Sequence, residues 1–176
     1  MHCRRQKSRG AAIASLGLLF AVGCTPTTPR AAPDAATPGA AAPVREPRVR
    51  FEVAGPGPLA PLVRAFSERA RREGMTPLVY VGATWCEPCR YFHDAATRGG
   101  LDPALPPLAL LELDLDRDGA RIAEAGYASR MIPLFAVPGA EGRGTGLQIE
   151  GSIHGAGSPA EITPRLRALI ARAAAP

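Results

Sequence analysis

Cysteine is scarce in this 176-residue chain, with four in all. Cys3 and Cys24 lie near the start, so past residue 47 one close pair remains, Cys86 and Cys89. A single close pair cannot staple a domain, which excludes a disulfide framework; the two thiols are there to react or to bind metal. Lysine is scarcer still: Lys7 is the only one, and every other basic residue is arginine. No internal repeat is visible, which excludes a repeat architecture. A surplus of one charge is also missing from most of the chain. The net +5 counts 21 basic residues, but Arg4, Arg5, Lys7 and Arg9 crowd the first 23 positions, where no acid offsets them. Without these four, 17 basic face 16 acidic residues. That balance gives no reason to invoke nucleic acid or another polyanion as partner.

The four early charges form a positive n-region. Residues 10–22 follow as an apolar stretch, too short to span a bilayer comfortably but of h-region length. It ends in Ala21-Val22-Gly23-Cys24, which resembles a lipobox, with Ala21 where leucine is usual. An ordinary signal peptide with a chance cysteine, or an uncleaved anchor, is the competing reading. Cys24 falls where the apolar stretch stops, which favours the lipoprotein. We therefore expect residues 1–23 to be a signal peptide and Cys24 the lipidation site. The chain is then exported and lipid-anchored at the periplasmic face of a bacterial membrane. Residues 24–47 are Thr/Pro/Ala-rich, with prolines at 26, 29, 33, 38, 43 and 47 and no apolar period. They read as a disordered linker that, at ~3.1 Å per residue, reaches on the order of 70 Å.

Residues 48–176 suffice for one domain with one core. Residues 49–53 alternate as a strand, and Leu59, Leu62, Val63, Phe66 and Ala70 recur at helical spacing before Gly74. Residues 78–81 are continuously apolar, as a strand buried on both faces requires. A helix is expected over 86–97, a strand over 108–115 with Glu112 and Asp114 among leucines, and a short helix over 118–125. Residues 131–137 read as a strand interrupted by Pro133, 142–146 as a hairpin turn and 147–153 as the returning strand. Ser158 is placed to cap a last helix, with Pro159 at its first position and Glu161 at its third.

The most informative stretch is Trp85-Cys86-Glu87-Pro88-Cys89, between the 78–81 strand and the helix after it. Two thiols on the first turn of a helix meet its N–H groups and positive dipole end, which favour the thiolate of the first. Pro88 suits an early helical position. Glu87 opposes that thiolate while suiting the helix N-terminus, so the net sign is open. Trp-Cys-x-Pro-Cys after a strand resembles the active-site motif of the thioredoxin family. The element order β-α-β-α-β-α-β-β-α is similar to the full thioredoxin fold, an α/β architecture with a central mixed sheet flanked by helices. The resemblance covers essentially all of residues 48–176.

That resemblance implies a thiol–disulfide oxidoreductase acting on exported proteins. Cys86 takes the part of the exposed nucleophile and Cys89 that of the resolving thiol, with Trp85, Glu87 and Pro88 in support. Ile132-Pro133 occupies the place of the family's cis-proline, which lies against the disulfide and helps dock substrate. Gly155-Ala156-Gly157 resembles the glycine-rich turn before the last helix. The implied partners are protein thiols and disulfides and a redox-recycling partner, with no cofactor beyond the dithiol itself. One position departs: Tyr80 stands where thioredoxin has the buried aspartate that manages the resolving cysteine's proton. A phenol of pKa about 10 is a poor base at neutral pH. The proton of Cys89 must then go to water, to Glu87, or to another acid such as Glu112 or Asp114.

A second class of function competes, a module of the same fold that holds metal or a partner without turnover. His93 follows Cys89 by one helical turn, so Cys86, Cys89 and His93 offer three ligands, with His154 or water as a fourth. Trp85 and Pro88 have no part in ligation, and their presence argues against a metal site. Asp114, Asp116 and Asp118 alternate like calcium-loop ligands but lack that loop's glycine and glutamate at the right spacing. Capping and solvation of the helix near Asp118 explain them better. Tyr91 and Phe92 read as packing residues.

Overall fold

The computed structural model describes residues 46–175. The n-region with Cys3, the apolar stretch, Cys24 and the linker up to residue 45 lie outside the described residues. The elements are β1 (Val49–Val53), α1 (Leu59–Arg72), β2 (Thr76–Gly82), α2 (Glu87–Thr97), β3 (Leu108–Asp114), α3 (Leu115–Glu124), β4 (Leu134–Pro138), β5 (Gly144–Glu150) and α4 (Ser158–Ala173). They build one mixed five-stranded sheet in the order β1-β3-β2-β4-β5. β1 and β2 run parallel to β3, while β4 is antiparallel to both β2 and β5. This is the thioredoxin-like arrangement that the element order implied.

Two buried layers explain the continuous apolar run Leu78–Val81 of β2. Side chains alternate along a strand, so Val79 and Val81 enter one layer and Leu78 and Tyr80 the other. The first layer is closed by Leu59, Val63, Phe66 and Ala70 of α1 and Ile122 of α3. The second is closed by Phe92 and Ala96 of α2 and Ile162, Leu166 and Leu169 of α4. With helices on both faces, a half-polar strand pattern would bury unpaired polar groups.

The later boundaries differ from the sequence-based expectations. Helix α3 begins at Leu115, because the Asp114 carboxylate accepts the N–H groups of Asp116 and Arg117 and caps it there. Strand β4 begins only at Leu134, since Pro133 has no N–H to donate to the ladder; the Ile132–Pro133 peptide is cis, as the resemblance implied. The hairpin turn falls at residues 139–143, closed by Gly139 N–H donating to the Arg143 carbonyl at 2.8 Å. Gly142 is there at φ +74°, and a Cβ on it would stand 2.0 Å from the Ala60 carbonyl oxygen of α1. The turn sits where only glycine lets it lie against that helix. Ser158 does not cap α4; it is the first helical residue, and its hydroxyl donates to the Gly155 carbonyl. Gly157 takes the cap position without a side-chain bond, which leaves Pro159 at the second helical residue rather than the first.

Candidate functional site

The motif lies past the carboxyl end of β2, where Ala83, Thr84 and Trp85 carry the chain into α2. Cys86 is the N-cap of that helix, and its sulfur accepts the Cys89 N–H at 3.3 Å. Glu87 and Pro88 fill the first two helical positions, where the missing proline N–H costs nothing. Cys86 and Cys89 are joined in a disulfide with Cα atoms 5.3 Å apart. When that bond is opened, the same N–H and the helix terminus favour a thiolate at Cys86.

The expectation that Cys86 is the exposed member of the pair needs correction for this disulfide state. Cys86 is 4% exposed and Cys89 3%, so accessibility hardly separates them. Their surroundings do. Cys86 lines a groove of about 360 Å³ with Trp85, Pro88, Met131 and Ile132. Cys89 lines a different cavity of about 450 Å³ with Tyr80, His93 and Glu112. Trp85 and Met131 are 64% and 56% exposed, so the Cys86 groove has an apolar rim open to solvent.

Several placements were not legible in the sequence. The Trp85 indole N–H donates to Asp116 at 2.8 Å, which orients the exposed ring from the first turn of α3. Glu87 accepts from His154 Nδ1–H at 2.9 Å and from Gly155 N–H at 3.3 Å. The His154 bond holds the Glu87 carboxyl below the usual range, against the opposing effect of burial. Its charge is therefore tied to the turn before α4. His154 is a surface turn residue, but one that ties α2 to that turn. Ile132, half-buried beside the Cys86 groove, follows a loop held by Glu150 of β5, which accepts from the Ser129 hydroxyl and the Arg130 N–H. The only signal for these pairs was residue type, because their partners lie 20 or more positions away.

The three alternating aspartates diverge. Asp114 caps α3, Asp116 binds Trp85, and Asp118 is buried against Arg117, Arg121 and the Asp114 N–H. Among the described residues, no three His, Cys, Asp or Glu side chains converge as they would around a metal ion. Phe92 is fully buried, as a packing residue should be, while Tyr91 is half-buried beneath Arg90.

Asp118 makes a measurable prediction. Burial raises its pKa, but the Arg117 hydrogen bonds, the Asp114 N–H and the charges of Arg117 and Arg121 outweigh burial and hold it low. The folded value lies below the unfolded one, so the ionised group stabilises the fold above the ordinary aspartate range, about 4. That contribution is lost as pH falls through the folded value. Asp118→Asn should cost about 1–3 kcal/mol at neutral pH and flatten this part of the acid limb, read by urea unfolding across pH.

Strand order, helix placement and a two-thiol centre at a helix N-terminus define a thioredoxin-like domain with a Cys86–Cys89 disulfide. No protein-family model and no curated protein matches the chain. Among solved structures it is similar to thioredoxin O1 from Arabidopsis thaliana in the oxidized state, at 16% identity and a TM-score of 0.41, covering 70% of this chain and 96% of that one. At that score the likeness carries no weight here; the fold class rests on the chain's own topology.

Proposed function

We propose that this chain is a thiol–disulfide oxidoreductase that acts on exported proteins through the Cys86–Cys89 couple. The observation that carries the reading is the position of the disulfide, at the N-cap of α2 and beside an open apolar groove that Cys86 and Ile132 both line. In the reducing direction the Cys86 thiolate attacks a substrate disulfide and Cys89 closes on the mixed disulfide; the oxidising direction is the reverse. An extended segment of client protein fits the groove between Trp85 and Met131, next to Ile132–Pro133. A second protein dithiol or disulfide restores the couple after each turnover. No observation favours the metal or partner-holding alternative.

The test is turnover by the full chain on two protein substrates, a stable disulfide protein with added reductant and a scrambled one. Catalysis of reduction or of reshuffling supports the proposal; rates equal to reagent alone on both would overturn it.

The place of action belongs to the same proposal. A lipid on Cys24 and an extended 24–47 segment would hold the catalytic domain within reach of exported clients. Cys24→Ser should abolish lipid labelling of the chain and move it from the membrane to the soluble fraction, while leaving disulfide exchange unchanged.

A further inference from the structure

The cavity beside Cys89 poses a chemical question that the Cys86 groove does not. If the oxidoreductase reading holds, on which this inference rests, the Cys89 thiol must lose a proton before it can close the disulfide. Tyr80, six residues before Cys86, is 1% exposed and donates its hydroxyl to the Cys89 carbonyl at 3.4 Å. Burial, with the charge of Glu112, pushes its pKa well above the usual phenol value, so it is no base. Glu112 stands directly across from Tyr80 in the parallel β2–β3 pair. Residues 108, 110 and 112 share one sheet face, so Glu112 leaves the sheet on the side where Leu108 and Leu110 pack against the α2 layer. There it lines the cavity with Cys89, and its carboxylate lies 3.8 Å from His93 Nε2. His93 follows Cys89 by one turn of α2 and stacks on Phe51 with ring centres 4.1 Å apart.

The other charged groups around this cavity are engaged elsewhere. Asp114 caps α3 and Arg117 is bound to Asp118. On α2, Asp94 faces Arg98 and Arg90 lies over Tyr91. Both Glu112 and His93 are partly exposed, which gives the proton a way out to solvent.

We propose that Glu112, paired with His93, is the proton acceptor for Cys89 in the resolving step. In the mixed disulfide the substrate sulfur is bonded to Cys86. The Cys89 S–H gives its proton to the Glu112 carboxylate, and the thiolate attacks the Cys86 sulfur. The Cys86–Cys89 bond forms as the bond from Cys86 to the substrate breaks, and the electron pair leaves on the substrate sulfur. The substrate disulfide is thereby reduced by two electrons and the cysteine pair oxidised by two. The proton on Glu112 passes by way of His93 to solvent, from which the substrate thiolate is protonated.

The test uses the full chain, reduced, with Cys3→Ser and Cys24→Ser so that only two thiols report. Mixed with dithiobis(nitrobenzoate), it should release coloured thiolate twice, first on attack by Cys86 and then on closure by Cys89. In Glu112→Gln the second release should slow about 10-fold or more at neutral pH, with the first unchanged. Its pH profile should move up to the ordinary thiol range, about 8.5. Glu112→Asp, which keeps a carboxylate, should retain most of the closure rate and guards against a misfolded glutamine variant. A carboxylate acting only as a like charge would hold the thiol protonated, and its removal would speed closure. A second release that is unchanged or faster in Glu112→Gln, or equally slow in Glu112→Asp, overturns the proposal. Absence of the first release from the parent is the separate signature that the oxidoreductase reading itself has failed, and this proposal with it.

Discussion

Cys86→Ser should reduce disulfide exchange by the full chain to the level of reagent alone, while Cys89→Ser should leave the first step intact and accumulate covalent complexes with clients. The two cysteines are about equally covered, yet they are not equivalent. Cys86 receives the Cys89 N–H at the N-cap, where the helix terminus stabilises negative charge on sulfur. It also lines the groove with an open apolar rim, whereas Cys89 lines the cavity on the Glu112 side. A hydroxyl in place of Cys86 removes the thiol that lines the groove among the described residues, so no mixed disulfide forms there. A hydroxyl in place of Cys89 removes the group that resolves it, and the complex persists. Non-reducing gels of each variant incubated with a disulfide-containing client read the difference directly. Equal trapping by both, or residual turnover by Cys86→Ser, would sink the assignment of roles.

The largest expected loss of stability lies directly beneath the site. Phe92, fully buried on α2, packs edge-on against Phe135 of β4 with centroids 4.7 Å apart. It also meets Tyr80 at 6.2 Å and Phe51 at 6.5 Å. These rings fill the space between the sheet and the helix that carries both cysteines. Phe92→Ala removes a ring that its neighbours on the sheet cannot follow inward, leaving a cavity as well as lost burial, at about 3–5 kcal/mol. For a domain of this size that is a fall in Tm of roughly 10–20 °C. Phe51 is only half-buried, on the edge strand β1, so Phe51→Ala should cost clearly less. Urea unfolding of the two variants compares them; a shifted midpoint at unchanged slope identifies lost native packing.

Local chemistry carried the fold a long way. The motif after an apolar strand, the continuous apolar run of β2, the leucine-rich pattern of β3 and helical spacing in α1 were all legible because each depends on neighbours a few positions apart. The segment from Ile132 to Ser158 was read less well. A Pro in the chain does not announce whether its strand begins before or after it, and here β4 begins after Pro133, which has no N–H to give the ladder. The hairpin turn was expected at 142–146 and falls at 139–143, where Gly142 closely approaches α1. Ser158 looked like a cap because serine often is one, but the tight turn through Gly155 lets the helix begin a residue earlier.

The amino-acid sequence by itself determined that two thiols would stand at the start of a helix, past a buried strand. It also showed that no second pair was present to staple the domain. Only the tertiary structure decided what surrounds each sulfur: Trp85 against Asp116, Glu87 against His154, and Glu112 beside His93 in the cavity of Cys89. The reason is physical. Helix and strand periods are written into adjacent residues, whereas these contacts join groups 19 to 67 positions apart, and only the register of the sheet and the packing of its helices bring them together.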